Sequence, residues 1–131
     1  MIVRTTDQIT GTERDVSAKD WRSKRIVLAG DGVGFSFHET TIKPNSVNEF
    51  HYRHHVEAVW VVEGTGTLTN HENGEEHPLR PGTMYLLDGH ERHRVTCDTQ
   101  LRMLCVFNPP VTGQEVHDVT GAYPPPVVQT S

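Results

Sequence analysis

The 131-residue sequence has no apolar stretch long enough to cross a membrane. Its longest purely apolar run covers residues 58–62, whereas a membrane-spanning helix needs about 20 such residues. Residues 1–15 also lack the apolar segment of a secretory signal peptide. We therefore expect a cytoplasmic protein that has no membrane partner.

Basic residues are in the minority, with 12 lysines and arginines against 17 aspartates and glutamates, so the formal net charge is -5. Binding to nucleic-acid phosphates requires a basic face, so we predict no nucleic-acid partner and favour a small-molecule one. Hydrophobic residues make up 34% and charged residues 22% of the chain, a balance typical of globular proteins. A chain of this length has room for one domain with its own core.

Cysteine is scarce, and Cys97 and Cys105 lack the spacing of a redox pair or a zinc knuckle. Both are expected to be reduced and partly buried, as is usual inside the cell. Cys105 alternates with Met103 and Phe107 along the chain. It is therefore either a structural residue or part of a pocket wall.

Short segments rich in β-branched and aromatic residues lie between frequent turn signals such as Asn73-Gly74 and Asp88-Gly89. We predict strands over residues 35–41, 57–62, 67–70, 83–87 and 101–107, and a single helical turn over 17–21. Many short strands joined by turns indicate an all-β sandwich or barrel. We place the domain at residues 1–121, followed by a proline-rich tail or lid at 122–131.

The chain contains nine histidines, and His51, His54 and His55 lie just ahead of a predicted strand that begins at Glu57. Such clustering indicates metal binding or acid-base chemistry. Alternation places Glu57 on a face with valines, where a carboxylate must be neutralised, paired or bound to a metal. Three other histidines lie in polar turns and are expected at the surface: His71, His77 and His90.

Two spacings resemble the motifs of the cupin family, small β-barrels that hold a metal. The first motif runs through His51, Glu57 and Gly64, and the second from Gly82 to His93. Arg53 stands where the first motif usually has a second histidine, and Asp88 and His90 replace the usual proline and glycine of the second. Glu57 and His93 remain as ligands. Tyr85 is the candidate for a third ligand, and the alternative is that Tyr85 is a packed core residue.

Longer strings of residues resemble the ectoine synthase family, cytoplasmic cupins of osmolyte biosynthesis. The resemblance extends over nearly the whole chain and is carried by residues 34–40, 55–59, 81–85, 92–93, 107–113 and 115–118. It implies a single-domain cupin β-barrel of the jelly-roll type with at most short helical turns. It also implies a hydro-lyase that closes N-γ-acetyl-L-2,4-diaminobutyrate to the cyclic amidine ectoine with loss of water.

By the same resemblance, Glu57, Tyr85 and His93 would hold Fe(II). Carboxylate, phenolate and imidazole suit ferrous iron, and zinc or manganese could occupy the same ligands. If Tyr85 is not a ligand, His51 or His55 is the next candidate. A homodimer is also expected, both from the family and because two-fold assemblies are common.

The reaction needs a base to deprotonate the amine, an acid to help oxygen leave, and a shaped pocket that curls the substrate. The base candidates are His55, Glu115 and His117, and Tyr52 is the acid candidate. By resemblance, the polar head would lie among Trp21, Ser23, Arg25 and Thr40, against a wall of Cys105 and Phe107. The structural alternatives are a surface charge for Arg25, a strand residue for Thr40 and plain core for Phe107.

Two other functions are compatible with a cupin domain. A cupin dioxygenase would use iron to activate oxygen, although its usual set of two histidines and a carboxylate fits Arg53 and Tyr85 less well. A ligand-binding cupin would sense a small acid. Such modules often accompany a DNA-binding domain, for which we expect no room in this chain.

Overall fold

The computed structural model describes residues 1–113 and 122–124. The chain begins with a short helix, α1 (Thr6–Ile9). The Thr5 hydroxyl accepts from the Gln8 amide and the Gln8 side chain accepts from the Thr5 amide, a capping box that begins the helix. The described strands are β1 (Asp15–Ser17), β2 (Trp21–Val27), β3 (Ser36–Ile42), β4 (Val47–Phe50), β5 (Val56–Glu63), β6 (Gly66–Asn70), β7 (Glu76–Leu79), β8 (Met84–Leu87), β9 (His93–Cys97) and β10 (Leu101–Asn108), with a 3-10 turn at Ala29–Asp31 after β2.

Within the described residues these strands form two antiparallel sheets. One sheet has the order β1-β2-β3-β10-β5-β8, and the other has the order β4-β9-β6-β7. The last described strand, β10, lies between β3 and β5 and joins the two halves of the larger sheet. The architecture confirms the all-β prediction.

The core lies between the two sheets, where alternate residues point inward. On β5 the inward face carries Glu57, Val59 and Val61, which are all buried, as the alternation predicts. Val95 on β9 meets them from the opposite sheet in the same apolar cluster. The sheets therefore enclose a space into which the polar Glu57 points.

One glycine fixes the connection between β5 and β6. Gly64 has a φ of 94°, in the left-handed region that side chains disfavour. A Cβ atom at this position would also overlap the backbone carbonyl of Gln100. The first-motif glycine is thus required by backbone conformation and by a close approach of two chain segments.

All the strands predicted from the sequence are present, with ends within one residue of the prediction. The predicted helical turn at 17–21 is wrong, because Ser17 belongs to β1 and Trp21 begins β2. Strand β2 was not predicted. Its buried face consists of Trp21, Ser23 and Arg25, and two polar residues in three conceal the apolar alternation of a strand.

The predicted tail begins with residues that are buried. Ala122 and Tyr123 have 1% and 4% of their surface exposed, and Pro124 is exposed. Residues 125–131 lie outside the described part of the chain, so the division into domain and tail or lid stays a prediction. In the described residues, no helix has the length and apolar character needed to span a membrane.

Candidate functional site

A group of polar side chains is buried between the sheets, where an apolar core would be expected. The group comprises Ser23, Arg25, Ser36, His38, His55, Glu57 and His93. Buried polar groups are costly unless they are paired or functional, so their concentration marks a candidate site. Beside them is a cavity lined by Trp21, Ser23, Thr40, Ile42, Phe50, Tyr52, Glu57, Tyr85, His93, Met103, Cys105, Phe107 and Tyr123.

The three predicted metal ligands meet at this cavity from both sheets. Glu57 points inward from β5 between Phe107 of β10 and Leu87 of β8. Tyr85 on β8 pairs with Val59, one inward position further along β5. His93 begins β9 in the opposite sheet, and its ring centroid lies 6.4 Å from that of Tyr85.

The carboxyl of Glu57 lies in an apolar setting. Burial raises its pKa from the usual 4.5 to about 8, and the neighbouring Cys105 thiol opposes part of this rise. Among the described residues, no lysine or arginine forms an ion pair with Glu57. The site thus holds a carboxyl whose negative charge needs a cation to stabilise it.

The imidazole of His93 is oriented by the backbone. Its Nδ1 lies 3.0 Å from the Glu91 carbonyl oxygen, which can only accept, so the proton resides on Nδ1 and the lone pair on Nε2. Burial lowers the pKa of His93 to about 4. A neutral imidazole fixed by a carbonyl at one nitrogen is the usual arrangement of a metal-binding histidine.

Glu57 and His93 supply two ligands, and a metal site built on them needs at least one further ligand. Among residues 1–113 and 122–124, no three histidine, cysteine, aspartate or glutamate side chains are grouped as metal ligands. A site built on Glu57 and His93 therefore needs another donor, and the phenol of Tyr85 lines the same cavity. Burial raises the pKa of Tyr85 well above 10, so the phenol stays protonated unless a cation is bound.

Aromatic rings form one wall of the cavity. The Tyr52 ring lies 5.2 Å from Phe107 and 5.1 Å from Tyr123, measured between centroids. Burial raises the pKa of Tyr52 well above 10, which keeps its hydroxyl as a proton donor. His55 is buried behind this wall, with its ring edge-on to Phe107 at 5.8 Å. Tyr52 and Phe107 therefore reach the cavity directly, whereas His55 lies one layer further out.

The predicted polar-head residues are also close together. Arg25 has no exposed surface, and its guanidinium donates to the Gly113 carbonyl oxygen at 2.7 Å and to Ser23 Oγ at 3.4 Å. The alternative interpretation of Arg25 as a surface charge is therefore wrong. Thr40 accepts a hydrogen bond from the Cys105 thiol at a distance of 3.6 Å.

Some predicted residues lie elsewhere. Glu115 and His117 fall outside the described residues, so their roles stay predictions. His51, an alternative ligand, accepts a hydrogen bond from Arg53 Nε at 3.3 Å and does not line the cavity. His77 and His90 are exposed as predicted, and the half-exposed His71 contacts Glu49 at 2.7 Å.

Sequence analysis missed Tyr123 and His38. Tyr123 is the only aromatic residue in the proline-rich segment, which was a signal that this part of the chain packs against something. His38 lies within a string that carries the family resemblance, but it falls in a predicted strand and has no metal-ligand spacing. Its role depends on the hydrogen bonds that the fold gives it.

Comparisons with known proteins agree with this geometry. A family model described as ectoine synthase matches residues 1–127. The L-ectoine synthase of Mycolicibacterium gilvum (strain PYR-GCK) is 85% identical over 127 residues, covering 97% of this chain and 98% of the relative. The crystal structure of an ectoine synthase from P. lautus superimposes with a TM-score of 0.83 at 45% identity, covering 86% of this chain and 81% of that one.

More distant structures share the architecture. The cupin domain of an XRE-family transcriptional regulator from Enterobacter cloacae superimposes with a TM-score of 0.59, covering 70% of this chain and 99% of that one. Its sequence is 16% identical, so this likeness concerns the fold alone. The two antiparallel sheets are thus those of a cupin β-barrel.

Proposed function

Because the chain belongs to the ectoine synthase family and is a hydro-lyase of that activity, we propose that its substrate is N-γ-acetyl-L-2,4-diaminobutyrate. The reaction joins the α-amino nitrogen to the acetamide carbon and releases the acetamide oxygen as water. The product is the cyclic amidine ectoine. The observation that supports the proposal is the meeting of Glu57, Tyr85 and His93 in one cavity beside the buried Arg25.

The proton balance of this reaction sets what the residues must do. The ammonium and the amide N–H of the substrate together carry four protons on nitrogen. The amidinium product keeps two of them, and the other two leave in the water. No net proton enters or leaves, so the site needs groups that move protons from nitrogen to oxygen.

The metal ligands in this proposal are Glu57, Tyr85 and His93, with Fe(II) favoured and zinc or manganese as alternatives. When bound, such an ion would draw charge onto the acetamide oxygen as a Lewis acid. The structure supports this ligand set through the buried carboxyl of Glu57 and the Nε2 lone pair of His93.

The proton-transfer roles fall to residues near the aromatic wall. Tyr52 lines the cavity and is held protonated by burial, so it is suited to donate toward the departing oxygen. His55, one layer behind the wall, is a candidate base, together with Glu115 and His117, which lie outside the described residues.

Substrate binding in this proposal uses the polar side chains that β2 and β3 place at the cavity. The guanidinium of Arg25, which contacts Ser23, supplies positive charge for the substrate carboxylate, and Trp21, Ser23 and Thr40 line the cavity. Cys105 and Phe107 form the wall that holds the substrate curled, so that its amine meets its own amide carbon.

Turnover in the absence of oxygen is the experiment that tests this function. Protein purified without chelators, then supplied with Fe(II) under nitrogen, should convert the acetylated diamine to ectoine. A cupin dioxygenase would require oxygen, and a binding module would hold a small acid without converting it. Failure to form ectoine in the presence of Fe(II), zinc or manganese would overturn the proposal.

We also propose that the chain is a cytoplasmic homodimer. Three large apolar side chains on the outer face of β5 and β8 are about half exposed: Trp60, Met84 and Leu86. Trp60 and Met84 are direct partners across the two strands, so the residues form one contiguous apolar surface. Such a surface is costly in water, and a second copy of the chain would cover it.

A further inference from the structure

A chain of hydrogen bonds leads from the backbone after β10 to the cavity through three buried side chains. The Val111 amide donates to Ser36 Oγ at 3.1 Å, and Ser36 Oγ lies 3.1 Å from His38 Nε2. On the other side of the ring, His38 Nδ1 lies 3.3 Å from Ser23 Oγ. Ser36 and His38 have no exposed surface, and Ser23 has 1%.

The backbone amide of Val111 determines which atom donates in each of these hydrogen bonds. The Val111 amide can only donate, so Ser36 Oγ accepts there and has its own proton left to give. Among the described residues, the only other group at hydrogen-bond distance from Ser36 Oγ is His38 Nε2. Nε2 must therefore carry the lone pair, which places the imidazole proton on Nδ1, facing Ser23.

The surroundings of His38 keep the imidazole neutral. Its ring is fully buried and lies against Phe107, with centroids 5.1 Å apart. Burial, together with the charge of Arg25 and the nearby His55, lowers the pKa of His38 to about 3. A neutral ring has a single N–H, so the tautomer decides the direction of the whole chain.

This direction determines what Ser23 can do. Ser23 Oγ receives one donor from His38 Nδ1 and a second from Arg25 Nε at 3.4 Å. Both contacts use Ser23 Oγ as an acceptor, so its hydroxyl proton is available for a third group. Ser23 lines the cavity, so a molecule bound there can accept a hydrogen bond from it.

We propose that His38 is a positioning residue, which holds its proton on Nδ1 and thereby makes Ser23 a dedicated hydrogen-bond donor to the carboxylate of the substrate. The group that accepts the hydrogen bond from Ser23 also lies near the positive guanidinium of Arg25. An anionic oxygen, such as that of a carboxylate, binds most strongly in this position. The identification of this carboxylate as that of the substrate rests on the proposed function. The tautomer of His38 is inferred from the hydrogen bonds alone and does not depend on that function.

Nuclear magnetic resonance tests the tautomer without any substrate or metal. Long-range proton–nitrogen spectra of the ¹⁵N-labelled protein, with the His38 signals assigned by comparison with His38→Asn, separate a protonated Nδ1 from a protonated Nε2. We expect the proton on Nδ1 at neutral pH. A proton on Nε2, or a charged ring, overturns the proposal even if the protein makes ectoine.

Kinetics of three variants test the connection to Ser23. Ser23→Ala should raise KM for the acetylated diamine roughly ten- to a hundredfold, the usual loss for a hydrogen bond to a charged group, with kcat little changed. Ser36→Ala, outside the cavity, should raise KM by a smaller factor. In the double variant, the Ser36 change should add nothing, because Ser36 acts through Ser23. Independent, multiplying effects would overturn the proposal.

Ser46→Ala is the matched control. Ser46 is likewise a buried serine, and its hydroxyl donates to the Lys43 carbonyl oxygen at 2.7 Å. It does not line the cavity. It should lower the melting temperature and leave KM unchanged. Loss of ectoine formation by the parent protein would refute the proposed function alone, since the tautomer measurement stands apart from turnover.

Discussion

The thiol of Cys105 on β10 lies beside the carboxyl of Glu57 on β5, and both side chains are buried and line the cavity. Burial raises the pKa of each group, and the charge of Glu57 raises the pKa of the thiol further. Cys105 thus has a specific partner in addition to forming part of the wall. The two side chains form a neutral pair as long as no cation is bound beside Glu57.

The stability of the metal-free protein should depend on pH through this carboxyl. Because the pKa of Glu57 rises from 4.5 to about 8 on folding, the folded state holds a proton that the unfolded state has released. Stability should therefore fall by about 2 kcal/mol as pH rises from about 6.5 to 8. Chemical denaturation of chelator-treated protein measures this, and in Glu57→Gln the alkaline decline should disappear.

The acid side of the same profile should have the opposite slope. Burial lowers the pKa of His93 to about 4 and of His38 to about 3, both from 6.5. The unfolded state therefore binds these protons first, and stability is lost as pH falls below about 6.5. Together with Glu57, this predicts maximal stability of the metal-free protein near pH 6.5. A monotonic rise in stability from pH 6 to pH 8 would contradict the raised pKa of Glu57, and stability that keeps increasing as pH falls below about 6.5 would contradict the lowered pKa values of His93 and His38.

Tyr85→Phe separates a metal ligand from a packed ring, because it keeps the ring and removes only the hydroxyl. If the oxygen binds iron, the variant should lose more than the roughly 10 to 100-fold in affinity that an outer-shell partner supplies, and turnover should drop steeply. Metal analysis after equilibrium dialysis measures this. Phe107→Leu, on the opposite wall, should impair substrate binding and keep the iron. Equal iron affinity in Tyr85→Phe and the parent would direct the search for a third ligand to His51 or His55.

The outer apolar surface predicts the effect of a charge at its centre. Trp60→Glu should shift the protein from dimer to monomer in sedimentation experiments, since a buried carboxylate without a partner opposes association. Val47→Glu is the control, because Val47 is 58% exposed on the other sheet. A dimer that persists in Trp60→Glu would place the subunit contact elsewhere.

Tyr123 packs the beginning of the C-terminal segment against the cavity wall. Its ring lies 5.3 Å from Phe107, and the Arg25 guanidinium lies 5.5 Å from its centroid. Tyr123→Ala should cost about 3 kcal/mol of stability and raise KM, because a large buried ring and a support of Arg25 are lost. Deletion of residues 124–131 should leave the melting temperature unchanged. A fall in turnover after that deletion would indicate a lid, and unfolding would show that the deleted segment is part of the core.

Strands β5 and β10 could be predicted from the alternation of their apolar buried faces, whereas β2 was missed because its buried face is largely polar. Strands β5 and β10 alternate clearly, because Val59 and Met103 point into the core. Strand β2 buries Ser23 and Arg25, so its pattern resembles that of a surface segment. The polar site residues of β2 therefore remove the apolar alternation by which this strand could have been predicted.

The residues of the site also differ in whether they could be predicted from the sequence. Motif spacing predicted Glu57 and His93, and the family resemblance supplied Trp21 and Arg25, all of which meet in or beside one cavity. The bound metal itself stays a prediction. The packing partners of Tyr123 could not be predicted, because they lie far away in the sequence and three prolines follow Tyr123. Packing between distant segments is decided by the fold and not by local pattern.

The central place of β10 in the larger sheet has a consequence for how the protein is synthesised. Strands β3 and β5 have no direct pairing and are joined only through β10, near the end of the chain. A growing chain can pair β2 with β3, or β6 with β9, before β10 exists, but it cannot close the cavity. Pairing between distant segments slows folding, and sheet edges left open in the meantime are prone to aggregation. Ribosomes that stall before Leu101 would thus release fragments with unpaired β3 and β5 edges, which we expect to be substrates for chaperones and proteases.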